Sequence, residues 1–258
     1  MTFPFRQVRS NPRLRMHALH PFGRRNVAVA IAILAAVLPI ATNALVADPA
    51  HIDAYITPYY NSAGPVVKVG DFSQGLASKN DRAFVATIHA MRKHWNALTF
   101  YQVYVGAIRL YDLGYRNEAV YWFYSAQYRG RQFALLVDRN KLGTIGAPGF
   151  ELYHAQDAFL QLVGPNVNGY AFGDTSSLTA VIRRVQNENR SVPDLRTLYP
   201  GVAFTNESTR KAQNLQLNQG LDQLAAMLAS QKDQIAHERA QNGTEAQFSR
   251  LTSKPLPN

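Results

Sequence analysis

The sequence predicts an all-α protein, either a helical bundle or an array of helical hairpins, with an irregular N-terminal lead-in and a disordered C-terminal tail. Apolar residues recur at spacings of three and four in residues 84–95 and 178–185, which is the repeat of one helical face. Asn80 and Asp174 precede these stretches, where helix N-caps are expected. Only the short apolar run at residues 66–69 suggests a strand.

The first three predicted helices occupy the first half of the helical region. The first follows Asn80 and carries an apolar stripe of Phe84, Ile88, Met91 and Trp95. The second and third are expected at residues 99–111 and 116–128, with Gly114 at the break between them. Residues 138–149 are expected to form a loop, because glycines and a proline interrupt the periodicity there.

Three more helices are predicted in the second half. The fourth is expected at residues 150–163, where Gly164 and Pro165 should end it and leave residues 166–173 as a loop. The fifth is capped by Asp174 and ends before Pro193. The sixth and longest runs from about residue 208 to residue 239. Its apolar stripe is formed by Leu217, Leu221, Leu224, Leu228 and Ile235.

These elements divide the chain into four parts. Residues 1–44 are predicted to be an export signal or an uncleaved anchor, and residues 45–79, rich in proline and glycine, an irregular lead-in. Residues 80–240 form the helical domain. Residues 241–258 are mostly polar and contain two prolines near their end, so they are expected to be disordered.

The N-terminal segment has the three parts of a secretory signal. Six arginines and no acidic residue lie in residues 1–26, an uncharged apolar run fills residues 27–41, and small residues follow. Cleavage is expected after Ala44, or else after Ala47. Residues 28–47 approach the length of a membrane-spanning helix, so an uncleaved anchor stays open. In either case the domain is expected in the periplasm, or on the inner membrane facing it.

The net charge of +10 belongs mostly to this segment. Without the six arginines, 21 basic residues remain against 17 acidic ones, which is an ordinary surface. We therefore expect no nucleic-acid partner, and a membrane contact only through the N-terminal segment if it stays uncleaved. The absence of cysteine from the sequence excludes disulfides, thiolate metal sites and a cysteine nucleophile.

The centre of the chain, residues 99–130, predicts two helices that fold onto each other. The small residues Ala107 and Ala119 allow a close approach of the helices, and Phe123 fills the space between them. Gly114 supplies the turn, because glycine reaches positive φ without strain.

This stretch resembles one tetratricopeptide-type repeat of the Sel-like variety. The second helix of that variety reads Ala-x-x-Trp-aromatic-x-x-Ala with a following glycine, and the matching residues here are Ala119, Trp122, Phe123, Ala126 and Gly130. The resemblance covers about thirty residues, whereas such arrays need about three repeats to bury a core, so other helices must cover this hairpin. It implies protein binding on the first helix, whose exposed face would be Tyr101, Tyr104, Ile108 and Tyr111. Aromatic residues at helical spacing are also typical of a core, and both possibilities stay open.

No complete catalytic or metal-binding motif is present, and no cofactor is expected. His89 and His94 lie five apart on a helix and point to different faces. Glu151 and His154 have the spacing of half a di-iron carboxylate site, but the second half is missing.

The sequence therefore predicts an exported helical protein-binding module, as an immunity protein or an envelope adaptor, whose partner is another envelope or secreted protein. The alternative is a periplasmic enzyme that acts on cell-wall or carbohydrate substrates through paired carboxylates such as Glu118 or Glu151. Two facing acids across a cleft would favour the enzyme, and a patch without such acids would favour binding.

Export can be tested directly. A fusion of residues 1–50 to a reporter that is active only outside the cytoplasm should give activity. Replacement of Ile31 and Leu34 by charged residues should abolish it, because charge is costly in the apolar run. A fusion that stays in the cytoplasm and gives no activity would contradict the prediction, and an N-terminus at Leu45 in the mature protein would identify cleavage.

Overall fold

The computed structural model describes residues 48–52, 69–189 and 193–257. The predicted export segment and most of the lead-in, with the strand expected at residues 66–69, lie largely outside these ranges. Within them the protein is all-α, as predicted. The one β-type pairing among the described residues is an isolated bridge between Val137 and Phe204.

Ten helices follow one another in the described part of the chain. They are α1 (Ser73–Leu76), α2 (Asp81–Lys93), α3 (Phe100–Asp112), α4 (Arg116–Leu136), α5 (Pro148–Ala171), α6 (Thr175–Glu188), α7 (Leu195–Leu198), α8 (Glu207–Ser230), α9 (Lys232–Gln241) and α10 (Thr244–Phe248). Short 3-10 turns lie at Gly70–Phe72, Trp95–Ala97 and Arg139–Lys141. Within the described ranges, no helix combines the length and the apolar character needed to cross a membrane.

The predicted helix starts are confirmed by their caps. The Asn80 side chain accepts a hydrogen bond from the backbone of Ala83 at the start of α2, and Asp174 accepts from two backbone N–H groups at the start of α6. Thr99 and Gln102 form a reciprocal capping box at the start of α3. Each cap satisfies backbone donors that the first helical turn leaves unpaired.

The predicted end of the fourth helix is wrong, because α5 continues through Pro165 to Ala171. An interior proline removes one backbone hydrogen bond and costs about 3 kcal/mol or more. Burial on both sides offsets this cost: Val163 and Val167 are buried, and Asn166 donates to the carbonyl oxygens of Asp48 and His51. Tertiary packing therefore outweighs the local preference.

Two other helices differ from the prediction in extent. The third extends eight residues past residue 128 to Leu136, and the long sixth helix divides at Gln231 into α8 and α9. The side chains of its predicted apolar stripe are nevertheless all buried.

The C-terminal segment is ordered against the domain, which corrects the prediction of a disordered tail. Phe248 of α10 is buried, and α10 packs on α5. Beyond α10, the backbone of Lys254 donates to the Gly114 carbonyl at 2.8 Å, and Arg116 donates to the Thr252 carbonyl at 2.6 Å. These bonds fix a polar segment that buries few apolar side chains of its own.

Residues 48–52, the first residues that the structure describes, are also held against the domain by hydrogen bonds. Ile52 is buried and its backbone donates to Asp112 at 2.8 Å, while the Tyr111 hydroxyl donates to the Pro49 carbonyl at 2.7 Å. His51 lies 3.0 Å from the same Asp112 carboxylate. Burial raises the pKa of Asp112, although the Ile52 backbone and His51 oppose that effect.

Helix α4 lies at the centre of the fold. It packs against α3, α5, α6 and α8, and almost every side chain from Ala119 to Gln132 is buried. The predicted hairpin of α3 and α4 is present, and Gly114 turns it with a φ of +85°. The two helices pack closely at Gly106, where a Cβ atom would lie only 2.5 Å from the Trp122 ring.

The hairpin core can be tested with Phe123, which is fully buried between α3 and α4. The Phe123→Ala variant should lower the free energy of unfolding by about 3–5 kcal/mol, because it leaves a cavity in a packed core. Leu215→Ala is the matched control, because Leu215 is 61% exposed and its loss should cost less than about 0.5 kcal/mol. Equal urea midpoints for the two variants would show that Phe123 does not occupy the core.

Candidate functional site

The predicted recognition face on α3 is covered. Tyr104, Ile108 and Tyr111 are fully buried, and only Tyr101 is half-buried. Tyr104 stacks on Phe159 of α5 with ring centroids 5.0 Å apart, and burial raises its pKa. The prediction of an exposed binding face is therefore wrong for these three residues, because α5 and residues 48–52 cover this side of α3.

The other residues singled out in the sequence do not form a site together. Glu151 accepts a hydrogen bond from the Gly146 backbone at 2.7 Å at the start of α5. His154 is exposed, and its ring lies 4.5 Å from that of Phe150. In the described part of the chain, no three His, Cys, Asp or Glu side chains are grouped so that they could hold a metal ion.

An open depression lies instead at the C-terminal end of α2, next to the end of α6. Its volume is about 510 Å³. We call it the Trp95 depression, and its lining residues are Arg92, Lys93, His94, Trp95, Asn96, Ala97 and Glu188. Helix α2 ends at Lys93 and a 3-10 turn follows at once, so six consecutive residues line one surface.

Behind the depression, two aromatic rings and two guanidinium groups contact one another in sequence. Arg129 lies over the Trp95 ring, 4.7 Å from its centroid, and Trp95 stacks on Tyr121 with centroids 5.6 Å apart. Arg184 lies over the Tyr121 ring at 3.6 Å. Trp122 meets Trp95 edge-on at 5.0 Å. Such cation–π and ring contacts fix the orientation of each ring.

Glu118 of α4 connects this cluster to α2 and α6. Its carboxylate accepts a hydrogen bond from the Trp122 indole at 2.7 Å and forms an ion pair with Arg92. Arg184 lies 3.9 Å from its second oxygen. The Glu118 side chain is only 16% exposed, so these partners balance a carboxylate that is largely removed from water.

Glu188, at the end of α6, is the acidic residue that lines the depression. It accepts a hydrogen bond from the Tyr121 hydroxyl and one from Arg184 at 2.9 Å. Partial burial raises the pKa of Glu188, but the bonds from Tyr121 and Arg184 outweigh this effect, and the pKa is lowered. Glu188 is therefore ionised at neutral pH.

Arg129 is a buried cation without a carboxylate partner among the described residues. Its guanidinium donates to the carbonyl oxygens of Trp95 and Leu98 at 2.8 and 2.9 Å, and to the Asn189 side chain at 3.4 Å. Burial lowers the pKa of Arg129. The turn that forms the depression is thus tied to α4 through two of its own carbonyl groups.

The depression is positively charged overall. Together with the residues behind it, it contains the four cations Arg92, Lys93, Arg129 and Arg184 and the two carboxylates Glu118 and Glu188. Lys93 and His94 are exposed, and neither forms an ion pair with a described residue. A ligand with negative charge would therefore meet an unneutralised cation on a fixed aromatic floor.

A second hollow lies between α4 and α8. It has a volume of about 20 Å³, which is room for about one water molecule. Its lining residues are Tyr124, Gln127, Tyr128, Arg131, Leu217, Leu221 and Leu224. It is too small to hold a larger ligand.

Comparison with known proteins gives little further information. No protein-family profile matches the sequence, and no solved structure matches it. An uncharacterized protein of Haemophilus influenzae is 28% identical over 135 residues, which are 50% of this chain and 50% of that protein. The chain thus spans about half the length of this relative.

The contacts of Glu188 predict a pH dependence of stability. A carboxyl group whose pKa is lowered in the folded state contributes stability above its unfolded pKa, and this contribution is lost as the pH falls through the folded pKa. The free energy of unfolding should therefore fall between about pH 6 and about pH 3, and fall less in Glu188→Gln, which has no titrating group there.

Tyr121→Phe should show an intermediate pH dependence, because it removes one of the two bonds that lower this pKa. Urea unfolding at several pH values measures the three profiles. A Glu188→Gln profile that runs parallel to the parent profile would contradict the assignment.

Proposed function

We propose that the protein is an exported, all-α protein-binding module that holds its partner at the Trp95 depression. It would act in the periplasm, or on the inner membrane facing it, as an immunity protein or an envelope adaptor. The observation that carries the proposal is the depression itself, an open and cationic surface over a fixed floor.

The rigidity of the floor supports binding. Trp95 is held by Arg129 on α4 and by the Tyr121 ring, and Tyr121 is held by Arg184 and Glu188 on α6. A surface whose side chains are already ordered loses less conformational entropy when a partner binds. Aromatic and arginine side chains are also the types that contribute most binding energy at protein interfaces.

The resemblance to a tetratricopeptide-type repeat supports the same general function. In that family the hairpin is used to hold other proteins. Here the first-helix face is covered, so the binding surface would lie next to the hairpin, where Trp122 of α4 contacts Trp95. The proposal of export rests on residues 1–44, which lie outside the described residues.

The alternative, an enzyme with paired carboxylates, has less support from the geometry. A glycoside-cleaving pair needs one carboxyl group that stays protonated, which requires a raised pKa. Glu188 has a lowered pKa. Glu118 forms an ion pair with Arg92 and accepts a hydrogen bond from the Trp122 indole. Both carboxylates also contact the same Arg184, and Glu118 has Arg92 as a second cationic partner.

Filling the depression tests the proposal. Ala97 is exposed and lines the depression, so Ala97→Trp would place a large side chain in it. Envelope proteins retained by the parent chain should be lost with Ala97→Trp, because the bulky ring occupies the space of the partner. Affinity capture followed by mass spectrometry measures the set of retained proteins.

Ala77→Trp is the matched control, because Ala77 is also exposed and also lies at the end of a short helical segment, but is outside the depression. It should retain the same proteins as the parent chain. Thermal melts of both variants confirm folding. Identical retained sets for the parent and both variants would remove the depression as the binding surface.

A further inference from the structure

We infer that the partner presents an acidic segment of polypeptide to the Trp95 depression, with its carboxylates next to Lys93 and Arg92. This inference rests on the proposed function, because it names the chemistry of the partner that the same surface would hold. It is argued from the charge balance, the free hydrogen-bond donors and the size of the depression.

The charge balance favours an anionic ligand. Glu188 is paired with Arg184 and accepts a hydrogen bond from Tyr121, and Arg92 is partly neutralised by Glu118. Lys93 is exposed and forms no ion pair with a described residue. Arg92 and Lys93 also stabilise the C-terminal end of α2, where the helix dipole is negative. A carboxylate next to Lys93 would add an intermolecular ion pair.

The hydrogen-bonding groups favour an acceptor. The Lys93 ammonium is exposed, carries three N–H donors and forms no ion pair with a described residue. Lys93 lines the depression. An ionised carboxylate accepts hydrogen bonds and donates none, so it matches a surface on which donors are left over.

The size favours a chain segment over a single ion. The depression is open and has a volume of about 510 Å³, which is more space than a single ion occupies. A nucleic-acid strand needs a longer stripe of cations than this one. The sequence after residue 26 has no such stripe, and Glu188 stands at the edge of the depression. An acidic polypeptide segment therefore fits better than a nucleic-acid strand.

The test uses the full-length protein and a fluorescein-labelled peptide of about twelve residues that alternates Glu and Gly. Fluorescence anisotropy should show saturable binding that weakens as NaCl rises from about 0.05 to about 0.5 M, because salt screens exposed charges. Lys93→Glu should weaken binding about five- to tenfold, since it turns an attractive ion pair into a repulsive one.

Lys79→Glu is the matched control. Lys79 lies at the other end of α2, is also exposed and also forms no ion pair with a described residue. The same change of charge there should leave the affinity within about twofold of the parent value, because the site is a full helix length away. A peptide that alternates Lys and Gly should not bind.

Three results would overturn the inference: no saturable binding of the acidic peptide, equal losses in Lys93→Glu and Lys79→Glu, or equal binding of a single-stranded oligonucleotide of similar charge. If Ala97→Trp abolishes protein capture but the acidic peptide does not bind, the proposed protein-binding function is supported and the inference of an acidic partner is wrong. If the acidic peptide binds Ala97→Trp and the parent chain equally, the site lies elsewhere.

Discussion

The burial of α4 on all sides is the constraint on which the rest of the structure depends. A helix in this position must place polar side chains in the interior as well as apolar ones, and each buried polar group is costly unless it finds a partner. Glu118, Tyr121 and Arg129 find theirs on the end of α2, on the turn after it and on α6. The hydrogen bonds and ion pairs that these buried side chains of α4 require thus fix the positions of the elements around it.

This requirement also connects the fold to the candidate site. Trp95 contacts both Arg129 and Tyr121 and also lines the depression, so the contacts that stabilise α4 also order the Trp95 depression. Beside these contacts, Glu118 and Glu188 form ion pairs with Arg92 and Arg184.

The sequence was sufficient to predict the helices that have one apolar and one polar face. Helices α2, α3 and α6 carry clear apolar stripes and side-chain caps, and they begin where predicted. The sequence was not sufficient where tertiary contacts outweigh local preference. Pro165 lies inside α5 because both of its neighbouring turns are buried, and the ordered C-terminal segment depends on backbone bonds to Gly114 and Arg116.

The candidate site shows the same limit. Periodicity identified the tyrosines of α3 as one face, but it could not show that α5 and residues 48–52 cover that face. The signal for the depression was present as the run Arg92-Lys93-His94-Trp95 at the end of a predicted helix. Its partners Glu118, Arg129 and Arg184 are distant in sequence, so only the fold brings them together.

The central position of α4 can be measured most directly by native-state hydrogen exchange of the full-length protein. If α4 is the buried centre, its backbone amides between Val120 and Phe133 should exchange most slowly of all, through global unfolding alone. The amides of α9, which packs at the periphery on α8 and α10, should exchange faster through local opening. Exchange in α4 as fast as in α9 would contradict the account, because a helix enclosed by four others cannot open separately from them.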